Sequence, residues 1–382
     1  MAPPFRADHV GSLLRPQELK NAFRDAHLRK IDGNAFREIQ DRCIRDAIKL
    51  QEDAGLQSIT DGEFRRGSWF YGFVQAVEGL TTKDAIFTFH DETGDTVVFQ
   101  GAYAEGPLKR AKGITTNEFS FVQSLTKRTP KVTMPTPCFM HFFRLAEAVD
   151  PKAYPDLDAF WTDLIAVYRA ELAALDKLGC KFVQFDEVPI AMLCDPKIRR
   201  QTAANGVDAM KLLDKYIEVF NEVAKGKPAG MTITMHLCKG NYKGHWMAEG
   251  DYEAISERLF NGANVDTFFL EYDSERAGGF EPLRNVPKSK NVVLGLISSK
   301  TPQMESVDAL RKRVDDATRY ISLEQLGVSP QCGFASSVGG NPLTMDDESR
   351  MHGHDERVPV EALGFGLRLV SGFVARLAAE EC

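Results

Sequence analysis

A single closed (β/α)8 barrel of the TIM type, an α/β fold with a β-hairpin excursion after the second strand, is the architecture this sequence predicts. Three observations predict it. Short apolar runs of strand length alternate with amphipathic helical stretches over the whole chain, which implies a parallel sheet. There are eight such runs, a number that suits a closed barrel better than an open sheet. No G-x-G-x-x-G opens an early strand–helix turn, which weakens a dinucleotide-binding sheet as the alternative. The expected organisation is one catalytic domain over 1–382, with a hairpin insertion at 85–103 and an atypical tail at 351–382.

The elements follow in order. A first strand ends near "RADHVGS". Helices are expected over Pro16 to Arg29 and Ala35 to Ala54, the second with apolar residues three and four apart and Gly55 to close it. "LQSITDGEF" reads as the second strand, ending in a polar cluster. "IFTFHDETGDTVVFQGAY" has β-rich runs on both sides of a turn-like "DETGD", the pattern of a hairpin. "KVTMPTP" is the third strand. A helix from Leu157 to Leu178 and Gly179 lead into the fourth, "KFVQFDEVP". A helical region from Gly206 to Ala224 precedes the fifth, "MTITMHLC". A helix from Tyr252 to Phe260 then precedes the sixth, "DTFFLEY", and the seventh is "NVVLGLIS". A helix from Ser306 to Leu326 leads to the eighth, "GVSPQCGF".

Composition bounds the function. The 382 residues are 43% hydrophobic and 26% charged, with a formal net charge of -7, and no basic block marks a nucleic-acid binder. No apolar run approaches the roughly 20 residues of a membrane helix, and the N-terminus has no signal-peptide pattern. Seven scattered cysteines, an odd number, argue against a disulfide framework and for a reducing, cytoplasmic setting. The expected partners are therefore small molecules, with neither nucleic acid nor membrane; a homo-oligomer is left open.

The working face of such a barrel lies at the C-terminal ends of its strands. Collected there are His9, Gly11 and Ser12; Asp61, Gly62 and Glu63; Asp186 and Glu187; His236 and Cys238; Glu271 and Asp273; Ser298, Ser299 and Lys300; and Cys332. His236, Cys238, Glu271 and Cys332 together offer nitrogen, sulfur and oxygen donors. Two thiolates with an imidazole favour zinc over hard cations. A lone His-x-Cys is equally compatible with two buried side chains, so the reading rests on the set. Glu271, the weakest donor, would be the one a substrate displaces.

At these residues the chain resembles the cobalamin-independent methionine synthases, and more closely the short single-domain proteins related to their catalytic half. The resemblance runs from about Arg6 to about Arg350 and rests on "HVGSLLRP", "ITDGEFRRGSW", "VQFDEVP", "HLCKGN", "LGLISSKTP" and "VSPQCGFASS". It implies a (β/α)8 barrel with one zinc per chain, held by His236, Cys238, Glu271 and Cys332. It also implies an amino-acid thiol, homocysteine, held by Gly11 and Ser12 and by the carboxylates of Glu63 and Asp186. Two acids at that place suit an ammonium group better than a sulfonate, although Lys300 and Arg65 lie near in sequence.

The chain also departs from that family. Larger members carry a catalytic His after the seventh strand, where this chain has "ISSKTP" with Ser298 at the approximate position. His245 is a weak candidate for a replacement acid. Trp69, Phe70 and Tyr71 read either as a donor-stacking surface, led by Trp69, or as core beneath the hairpin. In the tail, His352 and His354 form an H-x-H. The expected activity is methyl transfer to a thiol, most simply homocysteine giving methionine, from 5-methyltetrahydrofolate or another small methyl donor. The rivals are a thiol alkyltransferase of the epoxyalkane–coenzyme M type, an aromatic-ether demethylating methyltransferase, a decarboxylase on a similar barrel, and a thiol-binding protein without turnover.

Overall fold

In the computed structural model, residues 5–341 are described, apart from 91–93, 95 and 302–304. The predicted tail with His352 and His354, and most of the "DETGD" turn, lie outside the described residues. In chain order the strands are β1 (Ser58–Ile59), β2 (Val77–His90), β3 (Thr96–Arg110), β4 (Thr129–Pro135), β5 (Phe182–Glu187), β6 (Thr232–Leu237), β7 (Thr267–Glu271), β8 (Asn291–Ile297) and β9 (Leu326–Pro330). Seven of them form one curled parallel sheet in the order β1-β4-β5-β6-β7-β8-β9.

The predicted first strand is an eighth stave, held more loosely than expected. Ala7 forms an isolated parallel bridge with Val328, Asp8 N donates to Val328 O at 3.2 Å, and Val328 N donates to Arg6 O at 2.8 Å. On its other side, side chains replace the ladder. The Lys131 ammonium donates to Asp8 Oδ1 at 2.8 Å and to His9 O, and the Ser58 hydroxyl meets Asp8. Gln184 Nε2, on β5, donates across the interior to Val10 O at 2.5 Å. β1 is short because Thr60 leaves the ladder at once: its N–H donates to Gln51 Oε1 and its hydroxyl to Gly11 O.

The helices begin where local chemistry starts them. Asp32 caps Gly33–Asp53 by accepting from Ala35 N, and Asp156 caps Leu157–Lys177 by accepting from Ala159 N. The hairpin follows the second stave as predicted, but β2 and β3 pair from Val77↔Arg110 to His90↔Thr96, well beyond 85–103. The extra pairing runs through "VEGLTTKD" and "AEGPLKR", segments with a bulge and without clean alternation. Its tip is tied down by two backbone hydrogen bonds of 2.9 Å between His90 and Trp246. The hairpin thereby closes over the C-terminal mouth of the barrel, where the chemistry-bearing residues collect.

Candidate metal centre

β6 delivers His236 in register with Asp186 on β5, and Cys238 follows directly after the strand. Cys332 comes two residues after β9 ends. Ligand atoms of His236, Cys238 and Cys332 all lie within 4.8 Å of one another, and all three side chains are buried. Apart from the neighbouring Cys332 thiol, the ring nitrogens of His236 have no hydrogen-bond partner. Leaving buried polar atoms unpartnered is costly, and a cation among these donors would satisfy them. The hydrogen bond between the two thiols sets them apart, holding Cys332 well below and pushing Cys238 well above the ordinary thiol value. Burial opposes a charged His236, but the neighbouring Cys332, Asp186 and Glu271 raise it.

Glu271 ends β7 beside this cluster but outside the 4.8 Å group. Its carboxylate is engaged elsewhere: Oε2 accepts from Lys239 N at 2.8 Å, and Oε1 pairs with Lys300 at 3.2 Å and Arg276 at 3.4 Å. Burial would raise its pKa, yet Lys300, Lys239 and Arg276 outweigh burial and hold it well below the usual carboxylate range. The predicted four ligands are thus arranged as three together and one held aside. Ser298, predicted to stand at the position of a catalytic His, donates to Asp273 Oδ2 at 3.0 Å and accepts from Lys300 N. It holds the loop after β8 and does not line the pocket.

The triad forms one wall of a pocket of about 530 Å³, counting space open to solvent. Ser12, Glu63 and Asp186 line the same pocket, Asp186 directly beside His236. Glu63 has a left-handed backbone, φ 61°, immediately after Gly62 at φ 68°. Such strain in a residue with a side chain is retained where the fold over-determines it. Here the Thr133 hydroxyl donates to Glu63 Oε1 at 2.8 Å, and Arg66 stands 3.6 Å away. Oε2 has no partner. Burial pushes the carboxyl of Glu63 up, and that of Asp186 up to about 7. Gly11 does not line the pocket, but it is required. At φ 138° its Cβ would collide with Thr133 Cγ2 at 2.6 Å and crowd Glu63.

Lys300 and Arg65, the cations near the site in sequence, are both committed. Lys300 is paired with Glu271 and Asp273, and Arg65 donates to Asp41 at 2.6 Å and lies over Phe121. His245 does not line the pocket. The aromatic trio divides: Trp69 lines the pocket, Phe70 is buried core, and Tyr71 is exposed. Phe143 lines the pocket too, and sequence reasoning missed Phe89 and Phe99 of the hairpin, Asn241 and Gly333. Asn241 donates to Ser299 Oγ and Gly333 O, and a Cβ on Gly333 would fall on Ser12 Oγ. Asn241 and Gly333 sit inside "HLCKGN" and "QCGF", so the motifs carried the signal; the hairpin phenylalanines had none.

Three comparisons with known proteins bear on this site. A family model described as cobalamin-independent synthase, catalytic domain, matches residues 5–342. The uncharacterized protein YxjG of Bacillus subtilis is 36% identical over 350 residues, 91% of each chain. A methionine synthase of Pyrococcus furiosus is 26% identical over 330 residues, 85% of each chain. Among solved structures, a Listeria monocytogenes protein provisionally assigned as a vitamin-B12-independent methionine synthase superposes with a TM-score of 0.71 at 28% identity. That match covers 97% of this chain and 98% of the other.

Proposed function

The chain belongs to the family of cobalamin-independent synthase catalytic domains, a methyltransferase family, and from that premise we propose that it is a zinc-dependent methyltransferase whose acceptor is the thiol of homocysteine. The product is methionine. One observation carries the reading: a single pocket is lined by both a soft-ligand triad and two buried carboxylates.

His236, Cys238 and Cys332, which all line the pocket, would hold the metal. Bound there, zinc would strip the proton from an incoming thiol at neutral pH while leaving its sulfur nucleophilic. The remaining work belongs to the chain. Glu63 and Asp186 receive the α-ammonium of the amino-acid thiol, and its charge draws both carboxyls into their ionised form. Ser12 and the backbone held by Gly11 meet the α-carboxylate. Glu271 would serve as a further ligand only by giving up its bonds to Lys239 N, Lys300 and Arg276. Trp69 bounds the side from which the methyl donor enters. Positioning of donor and thiol supplies on the order of 7 kcal/mol or more of the barrier.

The pocket also favours this acceptor over a sulfonate thiol such as coenzyme M. No Lys or Arg lines it among the described residues, and a sulfonate buried there would be unpaired.

The test is proton release from zinc-loaded protein titrated with homocysteine, cysteine, glutathione and coenzyme M. We expect one zinc per chain, none retained in Cys238→Ser, and release with homocysteine. Glu63→Gln and Asp186→Asn should weaken homocysteine by roughly tenfold or more. Release with coenzyme M or glutathione alone, or with no thiol, would sink the reading.

A further inference from the structure

Beyond the metal triad and the two carboxylates, much of the pocket lining is built of rings. Phe89 and Phe99, from opposite strands of the hairpin, meet edge to face with centroids 5.5 Å apart. Phe99 packs on Phe143 at 4.9 Å, and Trp69 is seated against Phe139 at 4.7 Å. Trp69 and Phe99 are only half-buried, so part of each ring remains open to the cavity. Gly240, at φ 98°, allows the loop after β6 to approach Phe89, since a Cβ there would stand 3.0 Å from its ring. The box opens outward into a second cavity that shares Trp69, Phe89 and Phe99, and that cavity has no charged residue in its lining among those described.

Two absences at this wall are informative within the described residues. There is no Lys or Arg in either lining to receive an anionic donor. The titratable groups that do line the inner pocket, Glu63, Asp186, His236, Cys238 and Cys332, all lie on the acceptor and metal walls. A donor whose methyl sits on an amine nitrogen needs a proton delivered to that nitrogen before it leaves. Among the described residues, the ring side holds no acid to deliver one.

From this geometry we infer that the donor is a methylated onium cation, a sulfonium or quaternary ammonium compound, seated in the aromatic box of Trp69, Phe89, Phe99 and Phe143. The inference rests on the methyl-transfer reading above. Ring faces attract such cations, and the net acidic pocket adds to the attraction. An onium also removes the need for an acid. The acceptor thiolate sulfur attacks the methyl carbon, and the carbon–onium bond breaks. Its electron pair stays on the departing sulfur or nitrogen. Cation and anion give a neutral thioether (or amine) and the methylated acceptor thioether, and the thiol proton has already gone to solvent.

Calorimetric titration of zinc-loaded protein in the presence of homocysteine tests this. The probes are choline, (2-hydroxyethyl)dimethylsulfonium and their neutral isostere 3,3-dimethylbutan-1-ol. The cations should bind roughly tenfold tighter than the isostere. Trp69→Leu and Phe99→Leu should bring that ratio close to one while homocysteine affinity is kept, with unchanged circular dichroism showing that both variants fold. Methionine formed from the sulfonium probe alone, or from choline alone, supports the inference and identifies the onium atom. Equal binding of cations and isostere overturns it, as does turnover of 5-methyltetrahydrofolate with neither cation bound. Loss of homocysteine binding in the wild-type protein would instead remove the methyl-transfer reading beneath it.

Discussion

Asp186 and Glu187 are neighbouring acids that leave β5 on opposite faces, and their fates show what one residue's direction decides. Asp186 faces the pocket. Glu187 turns away, and its Oε1 accepts from Ile190 N at 2.7 Å. Burial pushes its carboxyl up to about 7, against bonds from Thr136, Ile190 and Cys138 that favour the charge. A carboxyl raised in the folded state binds its proton more tightly there than in the unfolded chain. Stability is therefore fullest below the unfolded value near 4.5 and falls as pH rises towards 7. Glu187→Gln keeps an acceptor for Ile190 N and cannot ionise. In urea titrations it should match wild type at pH 4 and exceed it by about 3 kcal/mol at pH 8; equal stability at both would show that Glu187 is not strained by its charge. Strand alternation sets these two acids in opposite directions, although the sequence reading collected both at the working face. It did not reveal that Glu271 would be held by Lys300 and Arg276, because those pairs join separate loops and depend on distances a linear pattern lacks.

At the scale of elements, the long helices and the strands β4 to β9 were legible because each has one period and a local start or stop, such as Asp32 and Asp156 at helix entries. The hairpin was legible only where its alternation was regular. Its outer pairs depend on Gly79, at φ 83°, whose Cβ would lie 2.5 Å from Pro107 O and 2.6 Å from Gly106 O. Nothing in the local pattern announces that two bulged segments will meet there. Gly79→Ala should cost about 1–3 kcal/mol by forcing a left-handed backbone against a carbonyl. The loss should be local. Hydrogen exchange should quicken in 77–84 and 104–110 while β5 to β7 keep their protection, and the aromatic wall carried by Phe89 and Phe99 should bind donors less well. Uniformly faster exchange across the sheet would show instead that the hairpin and barrel unfold as one unit.

At the scale of the whole molecule, the barrel closes where its backbone ladder is weakest, between the stave at Ala7 and the start of the sheet. Alternation predicted eight staves, but it carried no information on how the first would be fastened. The fastening is a buried ion pair, Lys131 to Asp8 at 2.8 Å, with Lys131 also bonded to His9 O and Asp8 accepting from His9 N at 2.7 Å. Arg15 performs the same service at the mouth, donating to the carbonyls of Glu63, Arg66, Ala335 and Ser337, and so joins the loops that carry Glu63 and Cys332. Buried pairs of this kind add little over a well-packed neutral substitute, but breaking one strands a charge. Lys131→Met should therefore destabilise by about 3–5 kcal/mol, because the Asp8 carboxylate is left buried and unpaired. Asp8→Asn with Lys131→Met keeps an acceptor for His9 N and leaves no charge behind, so it should regain most of that loss. Urea titration of the two single variants and the double variant would check it. Losses that simply add would mean that the pair is uncoupled and that the first stave is held by its other bonds, such as its bridge to β9 and Gln184 to Val10 O.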